Sequence, residues 1–149
     1  MSRRLWPVAA AAALALAAGA CGTPGGAPTP TPFVITPCAE LVAQGRTLYA
    51  QSCATCHGNE RGEGRYAGAP PHTGEGHTWH HADRQLVEWV LDGPPLRTAM
   101  PAFRGQLSEE EVVAVLAYIK TLWTEEQRQR QAEMSRLYDQ QVRRLTPGP

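Results

Sequence analysis

Charge of one sign is missing from this chain. Lys plus Arg and Asp plus Glu each total 14, so the formal net charge is zero. A nucleic-acid binder carries a basic excess or stripe, and the balance argues against that class. Long hydrophobic runs are missing too. None reaches the roughly 18 residues that cross a bilayer, which excludes a polytopic membrane protein. Lysine is nearly absent: Lys120 stands alone beside 13 arginines, so positive charge is carried by guanidinium. Cysteine stops at four, too few for a disulfide-dense mini-protein. No segment alternates apolar and polar residues as a strand does, and the expected fold class is all-α. The 149 residues suffice for one domain of ordinary size.

The first twenty residues read as an address. Arg3 and Arg4 form a positive n-region, Val8 to Ala18 is apolar, and Ala18-Gly19-Ala20-Cys21 follows. This layout fits a secretory signal, residues 1–20. Ala18-Gly19-Ala20 suits ordinary signal peptidase. The same stretch with Cys21 resembles a bacterial lipobox and is the preferred reading, with Cys21 lipidated, although Ala18 stands where a lipobox usually has Leu. Arg3-Arg4 also fits a twin-arginine signal weakly; a plain positive n-region is preferred. Residues 21–36 read as a tether. From Gly22 to Pro37, 12 of 16 residues are Pro, Gly or Thr, and such a segment is expected to be extended and solvated. Loss of residues 1–20 leaves a net charge of −2.

Four helices are expected beyond the tether. The first starts at Thr36-Pro37, with Thr36 as cap and Pro37 at the first position. It runs towards Cys53 with Leu41, Val42, Gly45, Leu48 and Tyr49 on one face. Residues from His57 to about Ala82 read as a long loop, unusual in a compact domain unless it is functional. Asp83 caps a second helix that Gly93-Pro94-Pro95 stops after Asp92. Ser108-Glu109-Glu110-Glu111 is a capping box opening a third helix that reaches Trp123. Thr124-Glu125-Glu126-Gln127 is a second box, opening a fourth helix to about Leu145 with Met134, Leu137, Tyr138, Val142 and Leu145 on one face. The core domain is residues 37–123 and the extension 124–149.

Cys53-Ala54-Thr55-Cys56-His57 is C-x-x-C-H, the attachment signature of c-type haem. Two thiols on one helical turn can bond the two vinyl groups, and the next residue supplies the proximal imidazole. Three other readings stand beside it. A redox-active pair uses C-x-x-C after a strand, whereas a helix precedes this one. A zinc site needs two more ligands, which the remaining histidines could supply. A Cys53–Cys56 bridge would be strained.

These residues resemble a class I c-type cytochrome over Pro37 to Trp123. Gly45-x-x-x-Tyr49-x-x-x-Cys53 matches that family's N-terminal helix, and Tyr118 its aromatic partner at the helix crossing. The resemblance implies a small cytochrome c fold of three core helices around one covalent haem c, with the fourth helix an addition. It implies that Met100, before Pro101, is the distal ligand opposite His57. It also implies that a proline carbonyl, Pro70 or Pro71 with Pro71 slightly preferred, accepts the proximal Nδ1 proton.

Trp79 is a candidate donor to a haem propionate through its indole N–H. His77, His80 and His81 read as loop residues, with a copper site as the sharper alternative and replacement of Met100 on the iron as another. Cys38 reads as a free or buried thiol, with a bridge to Cys21 as the alternative. The fourth helix is expected to dock within the chain rather than on a partner. Together these give an exported electron carrier at the outer face of the cytoplasmic membrane or in the periplasm, anchored through Cys21. Its partners are redox proteins, with no small-molecule substrate and no catalysis. The alternatives are a haem subunit of a larger respiratory complex, a metal-handling protein, and an enzyme with an open sixth site.

Overall fold

The computed structural model describes residues 32–95 and 99–146. Among them are five α-helices, one 3-10 turn and no sheet, so the all-α expectation holds. The helices are α1 (Ala39–Ser52), α2 (Ala54–His57), α3 (Asp83–Asp92), α4 (Glu109–Lys120) and α5 (Glu125–Leu145), with the 3-10 turn at Thr78–His80 between α2 and α3. Among the described residues no helix is long and apolar enough to cross a membrane.

Helix starts follow capping chemistry. Ser108 Oγ accepts from the Glu111 N–H while a Glu111 carboxylate oxygen accepts from the Ser108 N–H at 2.8 Å. Thr124 and Gln127 exchange the same pair of bonds. These two boxes place α4 and α5 where the sequence puts them. Two other starts differ from expectation. Helix α1 begins at Ala39 with Cys38 as its cap, because Pro37 stays outside the helix and Thr36 caps nothing. Ala82, not Asp83, is the cap of α3, and its N–H is taken by Gln85 Oε1.

Helices α1 and α4 cross closely at Gly45. A Cβ there would lie 1.9 Å from the Ala114 carbonyl oxygen and 3.0 Å from Tyr118 Cβ. No side chain fits, which is the physical need for glycine at this crossing. Beside it, the rings of Tyr49 and Tyr118 meet edge to face, centroids 5.3 Å apart. The core gathers Tyr49 of α1, Leu86, Val87 and Leu91 of α3, and nearly all of α4.

Two expectations fail in informative ways. Ile35, placed by sequence in a solvated tether, is buried in the core. Burying such a side chain contributes about 2 kcal/mol, and its backbone is held at both ends. The Ile35 N–H donates to Asp83 Oδ2 at 2.8 Å, and its carbonyl accepts from Lys120 Nζ at 2.7 Å. Chain packing therefore begins before the Pro/Gly/Thr composition changes. Helix α5 docks within the chain, as expected, but not by its apolar residues. Gln131, Ser135 and Asp139 are its buried stripe, while Leu137 and Leu145 are 57% and 73% exposed.

A polar network explains that choice. Asp83 is fully buried and pairs with Lys120 Nζ at 2.8 Å. Its other oxygen accepts from Gln131 Nε2 at 2.8 Å, and its N–H donates to Ser135 Oγ at 3.0 Å. Burial pulls the Lys120 ammonium below its ordinary pKa, although Asp83 opposes the shift. A buried charge needs such partners, and α5 supplies them. Asp139 adds a second clasp by accepting from Arg84 of α3 and from Arg143 of its own helix.

Candidate haem-binding site

The C-x-x-C-H segment sits at a helix junction. The Cys53 N–H still donates to Tyr49 O at 2.9 Å, closing α1. One turn follows as α2, with the Cys56 and His57 N–H groups both donating to Cys53 O. Gly58 ends it at φ +81°, where a Cβ would meet the Glu63 carbonyl at 2.7 Å. Tyr49 reaches over from α1, its hydroxyl donating to Gly58 O at 3.0 Å.

Cys53 is half-buried, Cys56 is exposed, and both are free thiols. Burial, then the neighbouring Cys56, pushes the Cys53 thiol up to about 11. A redox-active pair requires the opposite shift, and helix α1 rather than a strand leads into the motif. These observations support neither the thioredoxin-like reading nor a Cys53–Cys56 bridge. Cys38, by contrast, is disulfide-bonded, which corrects the expectation of a thiol there. The alternative considered for it was a bridge to Cys21, which lies outside the described residues.

His57 is buried, and its Nδ1 lies 2.8 Å from Pro70 O. A carbonyl only accepts, so Nδ1 carries the proton and Nε2 keeps its lone pair for a metal. The acceptor is Pro70, which corrects the preference for Pro71. Pro71 instead turns the loop: its carbonyl is so close to Gly76 that a Cβ there would lie 2.0 Å away.

Trp79 is half-buried, and its indole N–H donates to Gly74 O at 3.3 Å. The donor assigned to a propionate is thus engaged inside the loop. Trp79 also meets His80 edge-on at 3.8 Å, His77 meets His81 at 5.6 Å, and His81 meets Trp89 at 4.7 Å. These histidines contact one another and tryptophans rather than converging. Among the described residues no group of three His, Cys, Asp or Glu is placed to hold a metal ion, so neither the copper nor the zinc reading is supported. Burial, and the nearby His77 and His80, hold His81 below the ordinary histidine pKa.

Met100 is half-buried in the segment joining α3 to α4. That segment is pinned back on α3: the Phe103 and Arg104 N–H groups donate to Val90 O and Leu91 O at 3.0 and 2.8 Å. Arg104 adds two bonds to Asp92, at 2.5 and 2.7 Å. Pro101 follows Met100 directly.

Sequence reading overlooked His72. Its ring stacks on His57, centroids 4.0 Å apart and planes 25° apart. Its Nδ1 lies 2.8 Å from Thr78 Oγ1, and its carbonyl accepts from the Trp123 indole at 2.9 Å. Burial, followed by the nearby His57 and His77, pushes the imidazole down to about 3, so it is neutral. The available signal was a histidine only two residues past the acceptor proline. Helix α5 holds the same loop from outside, with Gln127 Nε2 donating to Gly74 O at 2.8 Å and Gln131 Nε2 to His81 O at 3.1 Å. An open depression of about 590 Å³ lies against Pro70, Pro71, Trp79 and His80.

The donor set fits a c-type haem. Two unbridged thiols lie one turn apart, and the imidazole beside them is fixed through Nδ1 with Nε2 available. The model of the family described as cytochrome c oxidase, cbb3-type, subunit III matches residues 40–119. No solved structure matches the chain.

Proposed function

Because the chain belongs to the cbb3-type cytochrome c oxidase subunit III family, a small all-α cytochrome c fold with covalent haem c serving electron transfer, we propose that it is an exported monohaem electron carrier with His57 and Met100 as axial ligands. The observation that carries this reading is the His57 Nδ1 bond to Pro70 O at 2.8 Å, which leaves Nε2 available to hold iron. When bound, the haem supplies the Fe(III)/Fe(II) couple. Cys53, at the junction of α1 and α2, and Cys56 of α2 would hold it by two thioethers. The Pro70 carbonyl orients the His57 ring and raises its basicity. Met100 offers a soft sulfur that favours the ferrous state relative to a second histidine. With His57 and Met100 both holding iron, no coordination site would be left for a substrate, which supports a carrier rather than an enzyme.

Residues 1–20 serve as the export signal in this reading, and Cys21 as a lipid attachment that keeps the domain at the outer face of the membrane. The lipid needs the Cys21 sulfur, so lipidation and a Cys21–Cys38 bridge exclude each other. The partners are redox proteins of a membrane respiratory chain or the periplasm. A second reading, a haem subunit fixed in an oxidase complex, draws on the exposed Leu137 and Leu145 of α5. Leu137→Glu with Leu145→Glu should release such a subunit from its complex while leaving its spectrum unchanged.

The test of the ligand set is the ferric absorption spectrum. An iron–thioether bond gives a weak long-wavelength charge-transfer band, expected in the native protein and lost in Met100→Ala. Its absence from the native, haem-loaded protein would remove Met100 and reopen the enzyme reading.

A further inference from the structure

We propose that His72 is a positioning residue for the proximal ligand, setting the plane of the His57 ring through a stacked contact that Thr78 and Trp123 hold in place. The inference rests on the reading of His57 as the iron ligand and concerns a residue that the C-x-x-C-H motif does not include.

The observations converge on one ring. A ligating imidazole has one rotational freedom left once Nε2 is bound, the turn about its nitrogen–metal axis. The Pro70 carbonyl restrains that turn at one edge of the ring, through a single bond of 2.8 Å. The flat face of His72 restrains it across the whole ring, at 4.0 Å between centroids and 25° between planes. His72 cannot turn freely either. Thr78 Oγ1 holds its Nδ1 at 2.8 Å, and Thr78 itself is buried on the 3-10 turn. The Trp123 indole holds its carbonyl at 2.9 Å, and Tyr49 closes the side with its ring edge at 5.9 Å. Trp123 is buried at the junction of α4 and α5. The ligand plane is thereby tied to the helical frame through two residues, His72 and Trp123.

An aliphatic residue would fill the same space and keep the Trp123 bond to its carbonyl, but without the stack or the Thr78 bond. A histidine offers a flat face for the stack and a ring nitrogen for the anchor. Ring orientation matters for iron because ligand π orbitals interact with particular metal d orbitals. A wandering ring gives several electronic environments instead of one.

The test compares haem-loaded His72→Ala, His72→Phe and Thr78→Val with the native protein. The readouts are the hyperfine-shifted proton resonances of the ferric state and the midpoint potential. The native protein should show one set of shifted haem-methyl resonances. His72→Ala should split or broaden that set and move the potential. His72→Phe, which restores a flat face, should recover one set, with the potential nearer native. Thr78→Val should fall between. If His72→Ala melts earlier but keeps the native resonance pattern and potential, the residue is only a packing element and the proposal is overturned. If His72→Ala does not accumulate, Thr78→Val still decides: a native pattern and potential there would overturn it. Failure of the underlying haem reading is distinguishable, because the native protein would then carry no covalently bound haem.

Discussion

Lys120→Met tests whether the buried charge pair binds the tether end, α3, α4 and α5 into one folding unit. The substitution keeps the apolar stem and removes the ammonium. Lys120 Nζ lies 2.8 Å from Asp83 Oδ2, with side chains 3% and 0% exposed. At that distance the attraction is about 6 kcal/mol for an effective dielectric constant of about 20, and desolvation offsets part of it. What remains after the change is a buried carboxylate with Ile35 N–H and Gln131 Nε2 as donors, and an Ile35 carbonyl that has lost its partner. Breaking a buried pair in this way costs about 3–5 kcal/mol. At about 4 °C per kcal/mol for a domain of this size, Tm should fall by roughly 12–20 °C. The double change Lys120→Met with Asp83→Asn removes the stranded charge and should recover more than half of that loss. Thermal melts of the haem-loaded protein followed by circular dichroism give both numbers. A single-variant loss under about 1 kcal/mol, small against the cost of breaking a buried pair, would refute the reasoning. So would a double variant as unstable as the single.

Gly45→Ala should cost about 1–3 kcal/mol or more, because its Cβ would meet Ala114 O at 1.9 Å; urea denaturation should show a lower midpoint. Asp139 gives an acid-side dependence. Burial pushes its carboxyl up, but the bonds from Arg143 and Arg84 outweigh this and hold it below the ordinary value of 3.8. Its contribution is therefore complete above that value and is lost as pH falls through the lower folded-state value. Asp139→Asn should lower Tm at pH 7 and flatten this part of the acid limb, and a variant with native Tm at pH 7 would remove the second clasp. Intact mass of the exported protein decides the fate of Cys21. A diacylglyceryl mass is expected if Cys21 is the anchor, whereas an unmodified Cys21 bridged to Cys38 would mean an unanchored protein.

Much of the fold was legible because it rests on local rules. The Ser108 and Thr124 boxes placed two helix starts, while the crossing at Gly45, Tyr49 and Tyr118 was implied by the resemblance to class I c-type cytochromes. What sequence reading missed was decided by tertiary partners. Ile35 looked like tether because composition around it is Pro and Thr, yet Asp83 and Lys120 claim its backbone. The docking face of α5 was mistaken because apolar spacing was counted, while the buried groups it meets are charged and prefer Gln131 and Ser135. In the site, Cys53, Cys56 and His57 follow from spacing alone. The choice of Pro70 over Pro71 depends on the path of a loop without periodicity, and His72 is recognisable only once that loop brings it onto His57. Trp79 was assigned by its donor chemistry, which Gly74 of its own loop takes up.

The most direct test of the central claim is haem attachment in the exported protein. Pyridine haemochrome spectra and intact mass should show one haem per chain held by two thioether bonds, surviving acid–acetone extraction. Cys53→Ser and Cys56→Ser should each leave one bond, and the double variant none. Haem that extracts freely from the native protein, or more than one haem per chain, would contradict the account.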